Sequence, residues 1–173
     1  PPEEPGSKLK DRVALQSYPV QEAAGLVFVY IGPMPAPLLP KYDLLVHNTG
    51  DRYVWGFTDH CNWLQCAEVT ADATHLNWLH ASVYPMYAGK RPRVEYNERE
   101  YGIEYIYAMD DLPADKCSNV IFPTANRFAS ARKELKGASR QNMVFRTPED
   151  DVVTHNFFIS LHPREDEIGR AHV

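Results

Sequence analysis

The alternation of apolar and polar residues predicts mostly strands, with one long helix near the middle of the chain. Strand-like runs occupy residues 12–20 and 25–31, and Ala23-Ala24-Gly25 between them predicts a turn. Prolines at 33, 35, 37 and 40 then interrupt the pattern. Proline fixes φ and lacks a backbone donor, so we expect an extended linker and a domain boundary near residues 33–41.

Beyond this linker, one helix precedes a series of strands. Residues 52–59 predict a strand, and residues 61–81 contain no proline or glycine and predict a single helix. Further strands are predicted at 93–96, 101–109, 119–130, 142–145 and 152–161, with turns at 89–92, 110–113, 137 and 147–151. This order predicts an α+β domain in which an antiparallel sheet curls around the helix, and we expect the segment before residue 33 to pack apart from it.

Composition and charge narrow the classes of function. Of the 173 residues, 44% are hydrophobic and 12% aromatic, which is enough for a core with large apolar side chains. The net charge of -5, from 18 basic and 23 acidic residues, argues against nucleic-acid binding. No apolar run reaches the roughly 18 residues of a membrane span, and residues 1–5 do not resemble a signal peptide. We therefore expect no membrane contact and a cytoplasmic location.

Three cysteines are present, Cys61, Cys66 and Cys117. An odd number fits no complete disulfide framework, and no pair has C-x-x-C spacing. We expect free thiols rather than a zinc site or an iron-sulfur cluster built by this chain alone.

One polar stripe along the predicted helix carries the candidate chemistry. At about 100° per residue, its polar side chains fall within an arc of roughly 140°. They are Asn62, Gln65, Glu68, Asp72, His75 and His80, interleaved with Val69, Leu76 and Leu79. A solvent-facing side is the common explanation of such a stripe. The stripe contains no Lys or Arg, however, which favours the wall of a pocket. Both interpretations remain open from the pattern alone.

His75 and His80 are the candidate metal ligands. Neutral imidazole binds iron, zinc or copper, and two imidazoles with one carboxylate leave open positions on a ferrous ion. The i, i+5 spacing and the absence of a Glu after His75 disfavour the zinc-protease pattern. On an ideal helix the two residues would lie about 140° apart. We predict that they converge on one site because the helix ends or bends between them.

Other polar residues have simpler explanations. Asp150 and Asp151 are expected in a turn rather than at a metal. His155 shares a strand face with apolar residues, which favours a core or pocket-lining position. Arg127 and Arg132 could bind a substrate carboxylate, because guanidinium binds carboxylate bidentately, but surface positions are favoured for both.

The spacing Asp72-x-x-His75-x-x-x-x-His80 resembles the mononuclear-iron motif of Rieske non-heme iron oxygenase α subunits. The preceding Asn62-Trp63-Leu64-Gln65 and Glu68 resemble the phthalate-dioxygenase-like branch of that family. Further landmarks follow in the family's order: residues 17–20, Glu22 and residues 25–33 resemble the closing hairpin of the Rieske domain, Leu39-Pro40 resembles the next linker, and residues 91–93, 101–103 and 148–151 resemble later landmarks.

The resemblance implies an organisation and a set of roles. Residues 1–40 would be the end of a Rieske [2Fe-2S] domain with its linker, and residues 41–173 a C-terminally truncated catalytic domain of helix-grip, START-like fold. His75 and His80 would bind mononuclear Fe(II). Asp72 would be catalytic, bridging toward a cluster histidine of the neighbouring subunit and carrying electron transfer. The third iron ligand, an Asp, is expected beyond Val173, and the cluster ligands before Pro1, so the chain resembles a fragment that is inactive alone.

The implied function is that of the oxygenase component of a multicomponent system. It would activate O2 at Fe(II) to hydroxylate or O-demethylate an aromatic compound, with or without a carboxylate. The implied partners are further copies in a trimer-based homo-oligomer and a reductase or ferredoxin, with no nucleic acid or membrane. The alternative is a non-catalytic α+β module that binds a hydrophobic ligand, with structural histidines. Metal content distinguishes the two.

Overall fold

The structure is a computed structural model that describes residues 6–8, 12–46, 50–110, 116–130, 140–162 and 164. The expectations for Arg132 and for a turn at residue 137 lie outside these residues. The elements are β1 (Val20–Ala23), β2 (Leu26–Val29), α1 (Asp43–Val46), β3 (Asp51–Asp59), α2 (Trp63–Ala71), α3 (His75–Trp78), a 3₁₀ turn (Pro85–Tyr87), β4 (Arg93–Arg99), β5 (Gly102–Ala108), β6 (Lys116–Ile121), β7 (Ala125–Ser130), β8 (Arg140–Pro148) and β9 (Thr154–His162).

A seven-stranded antiparallel sheet in the order β3-β9-β8-β7-β6-β5-β4 dominates the molecule. Helix α2 lies against it through β6, β7 and β8. The predicted α+β class, with an antiparallel sheet around a helix, is confirmed. None of the helices described in this structure is long and apolar enough to cross a membrane.

Three local predictions are wrong. Residues 13–19 form no strand, and β1 begins only at Val20. The strand predicted at 119–130 is two strands, β6 and β7, separated by a turn at 122–124. The helix predicted at 61–81 is also two elements, α2 and α3.

The helix breaks because Asp72 offers its neighbours an alternative to helical hydrogen bonds. The backbone of Asp72 is extended, with ψ of 94°. Its Oδ1 accepts hydrogen bonds from Thr74 N at 2.9 Å and from Thr74 Oγ1 at 2.6 Å. Short polar side chains compete with the helix in this way, so a sequence rich in helix formers still turns here.

One face of the sheet is closed by apolar packing. Its buried centre consists of Leu44, Leu45, Ala125, Met143 and Ile159, each at most 8% exposed. The β1–β2 hairpin is a sheet of its own, but Phe28 packs edge-on against Phe145 with ring centroids 5.2 Å apart. The expectation that this hairpin packs apart from the rest is therefore wrong: its apolar face covers the sheet. The assignment of residues 1–40 to another domain remains a prediction.

The opposite face, which we call the helix face, carries α2 and α3. Tyr105 donates its hydroxyl to Thr70 O at 2.8 Å, and Tyr96 donates to Ala71 O at 3.0 Å. These two bonds attach the last turn of α2 to β4 and β5, and they satisfy carbonyls that a helix end leaves free. Ala67 is 6% exposed and lets the helix lie close to the strands. The corner between α2 and α3 is thus held above the sheet.

Candidate functional site

A pocket of about 510 Å³ lies between the helix face and the α2–α3 corner. The helices and the following turn contribute Val69, Thr70, Asp72, Ala73, His75, Leu76, His80, Tyr84 and Tyr87. The strands contribute Phe57, Tyr105, Tyr107, Ser118, Phe128, Arg146 and Phe158. The volume is in the range of small-molecule sites, and the lining is mostly apolar with a few polar groups.

The polar stripe of the sequence is divided between two environments. Asp72, His75 and His80 line the pocket, whereas Glu68 is exposed. Asn62 caps α2, because its side chain accepts a hydrogen bond from Leu64 N at 2.9 Å. The pocket-wall interpretation therefore holds for the C-terminal part of the stripe, and the solvent-face interpretation holds for Glu68.

The structure brings the rings of His75 and His80 together. Their centroids are 5.3 Å apart and the ring planes meet at 71°. The short helix α3 makes this possible, since His75 O accepts from Leu79 N at 2.7 Å and also from His80 N at 3.4 Å. The second bond spans five residues, so the turn is wider than that of an α-helix and rotates His80 toward His75.

The backbone fixes the proton of His75. Its Nδ1 lies against the main-chain carbonyl oxygen of Asp72. A carbonyl only accepts, so Nδ1 carries the hydrogen and Nε2 keeps its lone pair. This is the arrangement in which a carbonyl orients a metal-binding imidazole and leaves the other nitrogen as the ligand.

The donor set fits part of an iron site. Two neutral imidazoles suit ferrous iron and leave further positions for other ligands. Within the ranges that the structure describes, no three His, Cys, Asp or Glu residues cluster so that they could hold a metal ion. The described residues therefore offer the pair His75 and His80.

The carboxylate of Asp72 is engaged by Thr74 rather than by a histidine ring. Hydrogen bonding from the Thr74 side chain lowers the pKa of Asp72 below its ordinary value, and the nearby His75 lowers it further. Asp72 is exposed and lines the pocket. Both hydrogen bonds from Thr74 end at Oδ1, so the second oxygen, Oδ2, takes no part in them. It is thus an ionised group beside the histidine pair.

Asn77 anchors the turn that carries both histidines. It is 0% exposed, and its Nδ2 donates to Tyr87 O at 2.9 Å. Its Oδ1 accepts from the Tyr107 hydroxyl at 3.1 Å. A buried amide with partners on both sides fixes its position firmly. Asn77 was not predicted, although its place in the chain between His75 and His80 was visible in the sequence.

Arg146 is the other pocket residue that the sequence patterns did not reveal. It is 6% exposed, and its Nη2 donates to Thr70 Oγ1 at 2.6 Å. The predicted strand stopped at Phe145, one residue short. Alternation along a strand places Arg146 on the same face as Val144, so a cation in line with an apolar strand position was the available signal.

Other expected positions differ from the pocket. Arg127 lies on the hairpin side, where its Nη2 pairs with Asp43 Oδ2 at 2.8 Å. His155 is neither in the core nor in this pocket, because it is half-exposed between Glu149 and Thr58. Asp150 lies in the predicted turn and accepts from Val152 N at 2.8 Å.

Cys61 and Cys66 lie beside a smaller pocket of about 300 Å³ that adjoins the first. Their sulfur atoms are 3.3 Å apart, and all three cysteines are free thiols. Burial, followed by the hydrogen bond with Cys61, raises the pKa of Cys66 to about 12. The thiol is therefore neutral at physiological pH.

Two curated relatives match most of this chain. A scan against protein-family models finds no match. The chain is 32% identical over 172 residues to the 5,5'-dehydrodivanillate O-demethylase oxygenase subunit of Sphingobium sp. strain SYK-6, covering 94% of this chain and 39% of that protein. It is 30% identical over 146 residues to the phenoxybenzoate dioxygenase subunit alpha of Ectopseudomonas oleovorans, covering 70% of this chain and 36% of that protein. The chain thus spans less than half the length of these relatives.

Solved structures share the fold. NdmA of Pseudomonas putida CBB5, solved with caffeine, superposes with a TM-score of 0.70 at 14% identity, covering 96% of this chain and 51% of that one. The terminal oxygenase of carbazole 1,9a-dioxygenase from Nocardioides aromaticivorans IC177 gives a TM-score of 0.66 at 17% identity, covering 97% and 55%. At these identities the likeness concerns the fold.

Proposed function

Because the chain belongs to the family of Rieske non-heme iron oxygenase subunits, we propose that it is the catalytic part of an oxygenase component that hydroxylates or O-demethylates an aromatic compound. One observation carries this proposal. The rings of His75 and His80 lie 5.3 Å apart on the wall of a pocket whose sheet side is aromatic. A pair of metal-binding histidines that faces an aromatic surface is what such a reaction needs.

The relatives support an aromatic substrate. Their names specify 5,5'-dehydrodivanillate for the O-demethylase and phenoxybenzoate for the dioxygenase, and both compounds are aromatic. In this chain, Phe57, Phe128 and Phe158 offer a matching surface, with Phe57 and Phe158 stacked at 5.6 Å between ring centroids. We infer that the substrate ring lies against these three side chains, which also exclude water from it.

We infer that His75 and His80 hold a mononuclear Fe(II), with a third ligand beyond Val173. Bound iron would supply the activation of O2 for transfer to the substrate. The protein's own contribution is positional: Asp72 O keeps the proton on His75 Nδ1, and Asn77 holds the turn. Fixed rings and a fixed tautomer reduce the reorganisation that metal binding requires.

Asp72 has a separate proposed role. Thr74 occupies its Oδ1 and keeps it ionised, and its exposed position suits contact with a neighbouring subunit. We infer that its carboxylate accepts a hydrogen bond from a histidine of that subunit's [2Fe-2S] cluster and so serves electron transfer. This implies a trimer-based homo-oligomer and a reductase or ferredoxin as the electron donor.

The first test measures iron in the full-length protein. His75→Ala and His80→Ala should each lower iron affinity by more than about 10- to 100-fold, because losing a ligand costs more than losing a residue that only supports one. His155→Ala is the matched control and should keep wild-type iron, since His155 pairs with Glu149 away from the pocket. Wild-type iron content in both pocket variants would contradict the site and favour a non-catalytic module that binds a hydrophobic ligand.

The second test separates Asp72 from the iron. Asp72→Asn should keep iron but lower single-turnover product yield from a pre-reduced cluster by at least about 100-fold, because the amide keeps the shape and loses the charge. Glu68→Gln, an exposed change on the same helix, should leave the yield unchanged. A normal yield in the Asn variant would refute the bridging role. Lost iron would make Asp72 a ligand or a structural support.

A further inference from the structure

Arg146 is a buried cation at the edge of the substrate pocket. It is 6% exposed and lies on β8, on the helix face, where it lines both the main pocket and the smaller one beside it. The side chains across the main pocket from the histidine turn include Phe57, Phe128 and Phe158. A guanidinium in this position is within reach of a molecule that fills the pocket.

The guanidinium of Arg146 is incompletely paired. Nη2 donates to Thr70 Oγ1 at 2.6 Å and Nη1 donates to Asn126 Oδ1, which are both neutral oxygens. The third nitrogen, Nε, is buried and has no hydrogen-bond partner among the described residues. No carboxylate of the described residues forms an ion pair with Arg146. The Cys66 thiol and Asp59 offset part of this charge from the side of the smaller pocket. A buried cation without an ion-pair partner is still costly, and a ligand that supplies one is bound favourably.

The surrounding charges decide which pocket such a ligand would enter. Asp59 attracts Arg146 from the side of the smaller pocket, where it also accepts a hydrogen bond from Asn156 Nδ2 at 2.9 Å. An anion there would meet that carboxylate. In the main pocket, the described carboxylate is that of Asp72, which is occupied by Thr74. Burial lowers the pKa of Arg146, which agrees with a site short of negative charge.

We propose that Arg146 binds the carboxylate of an aromatic acid substrate in the main pocket. The guanidinium would donate to the carboxylate oxygens from the pocket wall, while the ring lies against Phe128 and Phe158 and the reacting group faces the histidine pair. Arg146 is thereby the residue that selects aromatic acids over neutral aromatics. This assignment rests on the proposed function, because it takes the main pocket as the substrate site.

The experiment measures acid preference in the full-length, iron-loaded oxygenase. Benzoate and biphenyl-4-carboxylate are compared with their methyl esters by isothermal titration calorimetry. Wild type should bind the acids at least about 10-fold more tightly than the esters. Arg146→Met should weaken binding of the acids about 10- to 100-fold and change binding of the esters less than about threefold, because charged hydrogen bonds are lost and the apolar contacts remain.

Arg127→Met is the matched control. It removes an arginine from the adjacent strand β7 on the opposite face, where Arg127 pairs with Asp43, and should leave the acid preference unchanged. If Arg146→Met does not fold, as circular dichroism would show, Arg146→Lys carries the test. Lysine keeps the charge but not the two-pronged geometry, so the acid preference should fall about 5- to 10-fold.

Several results would overturn the assignment. The first is a wild-type protein that shows no preference for the acids or binds none of the probes. The second is an equal loss of affinity for acids and esters in Arg146→Met. The third is an unchanged acid preference in Arg146→Lys. Iron content and oxygen-dependent product are measured on the same samples. Acid selectivity that depends on Arg146 without any oxidised product would refute the proposed oxygenation and leave carboxylate recognition standing. Product formation without acid selectivity would do the reverse.

Discussion

The two faces of the seven-stranded sheet are built by the same strands for different purposes. On the hairpin face, Met143 and Ile159 are 0% exposed and surrounded by apolar side chains. On the helix face, the residues next to them in sequence are Val144, which lies opposite Asn126, and Phe158, which lines the pocket. One face is closed by a hairpin that fits it, and the other is held open by a helix corner.

This difference shows how strand alternation separates stability from chemistry. Successive side chains of β8 and β9 point to opposite faces, so a stabilising residue and a pocket residue can be neighbours in the chain. The pairs Phe145/Arg146 and Ile159/Phe158 follow this rule. We therefore expect substitutions on the hairpin face to change mainly the free energy of unfolding, and those on the helix face to change mainly binding.

The largest effect on stability is expected from Ile159→Ala. Deleting a fully buried side chain from the hairpin face should cost about 2–5 kcal/mol of unfolding free energy, through lost apolar burial and a cavity. Ligand affinity of the folded protein should stay unchanged. Urea unfolding measures the free energy of unfolding, and calorimetry measures the affinity. Val27→Ala is the control: Val27 is 63% exposed, so its substitution should change the free energy of unfolding by less than about 0.5 kcal/mol. A large loss of affinity would show that the faces are coupled.

An intermediate effect is expected from Asn77→Ala on the helix face. It leaves the Tyr107 hydroxyl and the Tyr87 carbonyl without their amide partner, at a cost of about 1–3 kcal/mol. Iron affinity should fall as well, because the turn that carries both histidines is loosened. Chemical unfolding and iron titration check the prediction. Asn97→Ala is the control, because the Asn97 side chain lies away from the histidine turn and donates to Glu95 Oε1 at 3.1 Å. Unchanged iron affinity would show that other contacts orient the rings.

The smallest effect on stability is expected at Cys66, where chemical labelling reports on the thiol and leaves the fold intact. Because burial, above all, raises its pKa to about 12, Cys66 should hold at least about 100-fold less thiolate near pH 8 than an unperturbed cysteine. Alkylation by iodoacetamide, followed by mass spectrometry, should be slowed accordingly relative to the urea-unfolded chain. Rapid labelling in the folded protein would mean that the helix face is open to solvent around the smaller pocket.

The sequence predicted where the strands lie along the chain better than it predicted what packs on each face of the sheet. Apolar alternation located β2, β3, β5, β8 and β9, with ends displaced by a few residues. The linker prolines also suggested that residues before 33 would pack apart. Proline constrains the backbone locally, whereas the docking of Phe28 on Phe145 depends on a partner more than a hundred residues away, which no local pattern contains.

The candidate site was partly predictable for a related reason. His75 and His80 could be named from spacing, and so could the need for a bend, because helical geometry alone separates them. The next helix ends at Trp78, between the two histidines, in agreement with that expectation. The separate break at Asp72, before both histidines, was not foreseen, since helix propensity does not include the hydrogen bonds from Thr74 to the Asp72 side chain. Arg146 and Asn77 were missed because their importance comes from burial, which depends on the tertiary fold. Their roles in substrate and metal binding remain predictions.

The short helix α3 has a consequence for the dynamics of the site. Four residues are too few to form a helix unaided, so α3 depends on the buried anchor Asn77 for its order. Such a segment opens at a lower free energy than the sheet beneath it, and its amides should exchange with solvent by local opening. A ligand that joins both imidazoles binds only the closed form and shifts that equilibrium by mass action. The α3 turn thereby couples the occupancy of the site to the rigidity of one pocket wall.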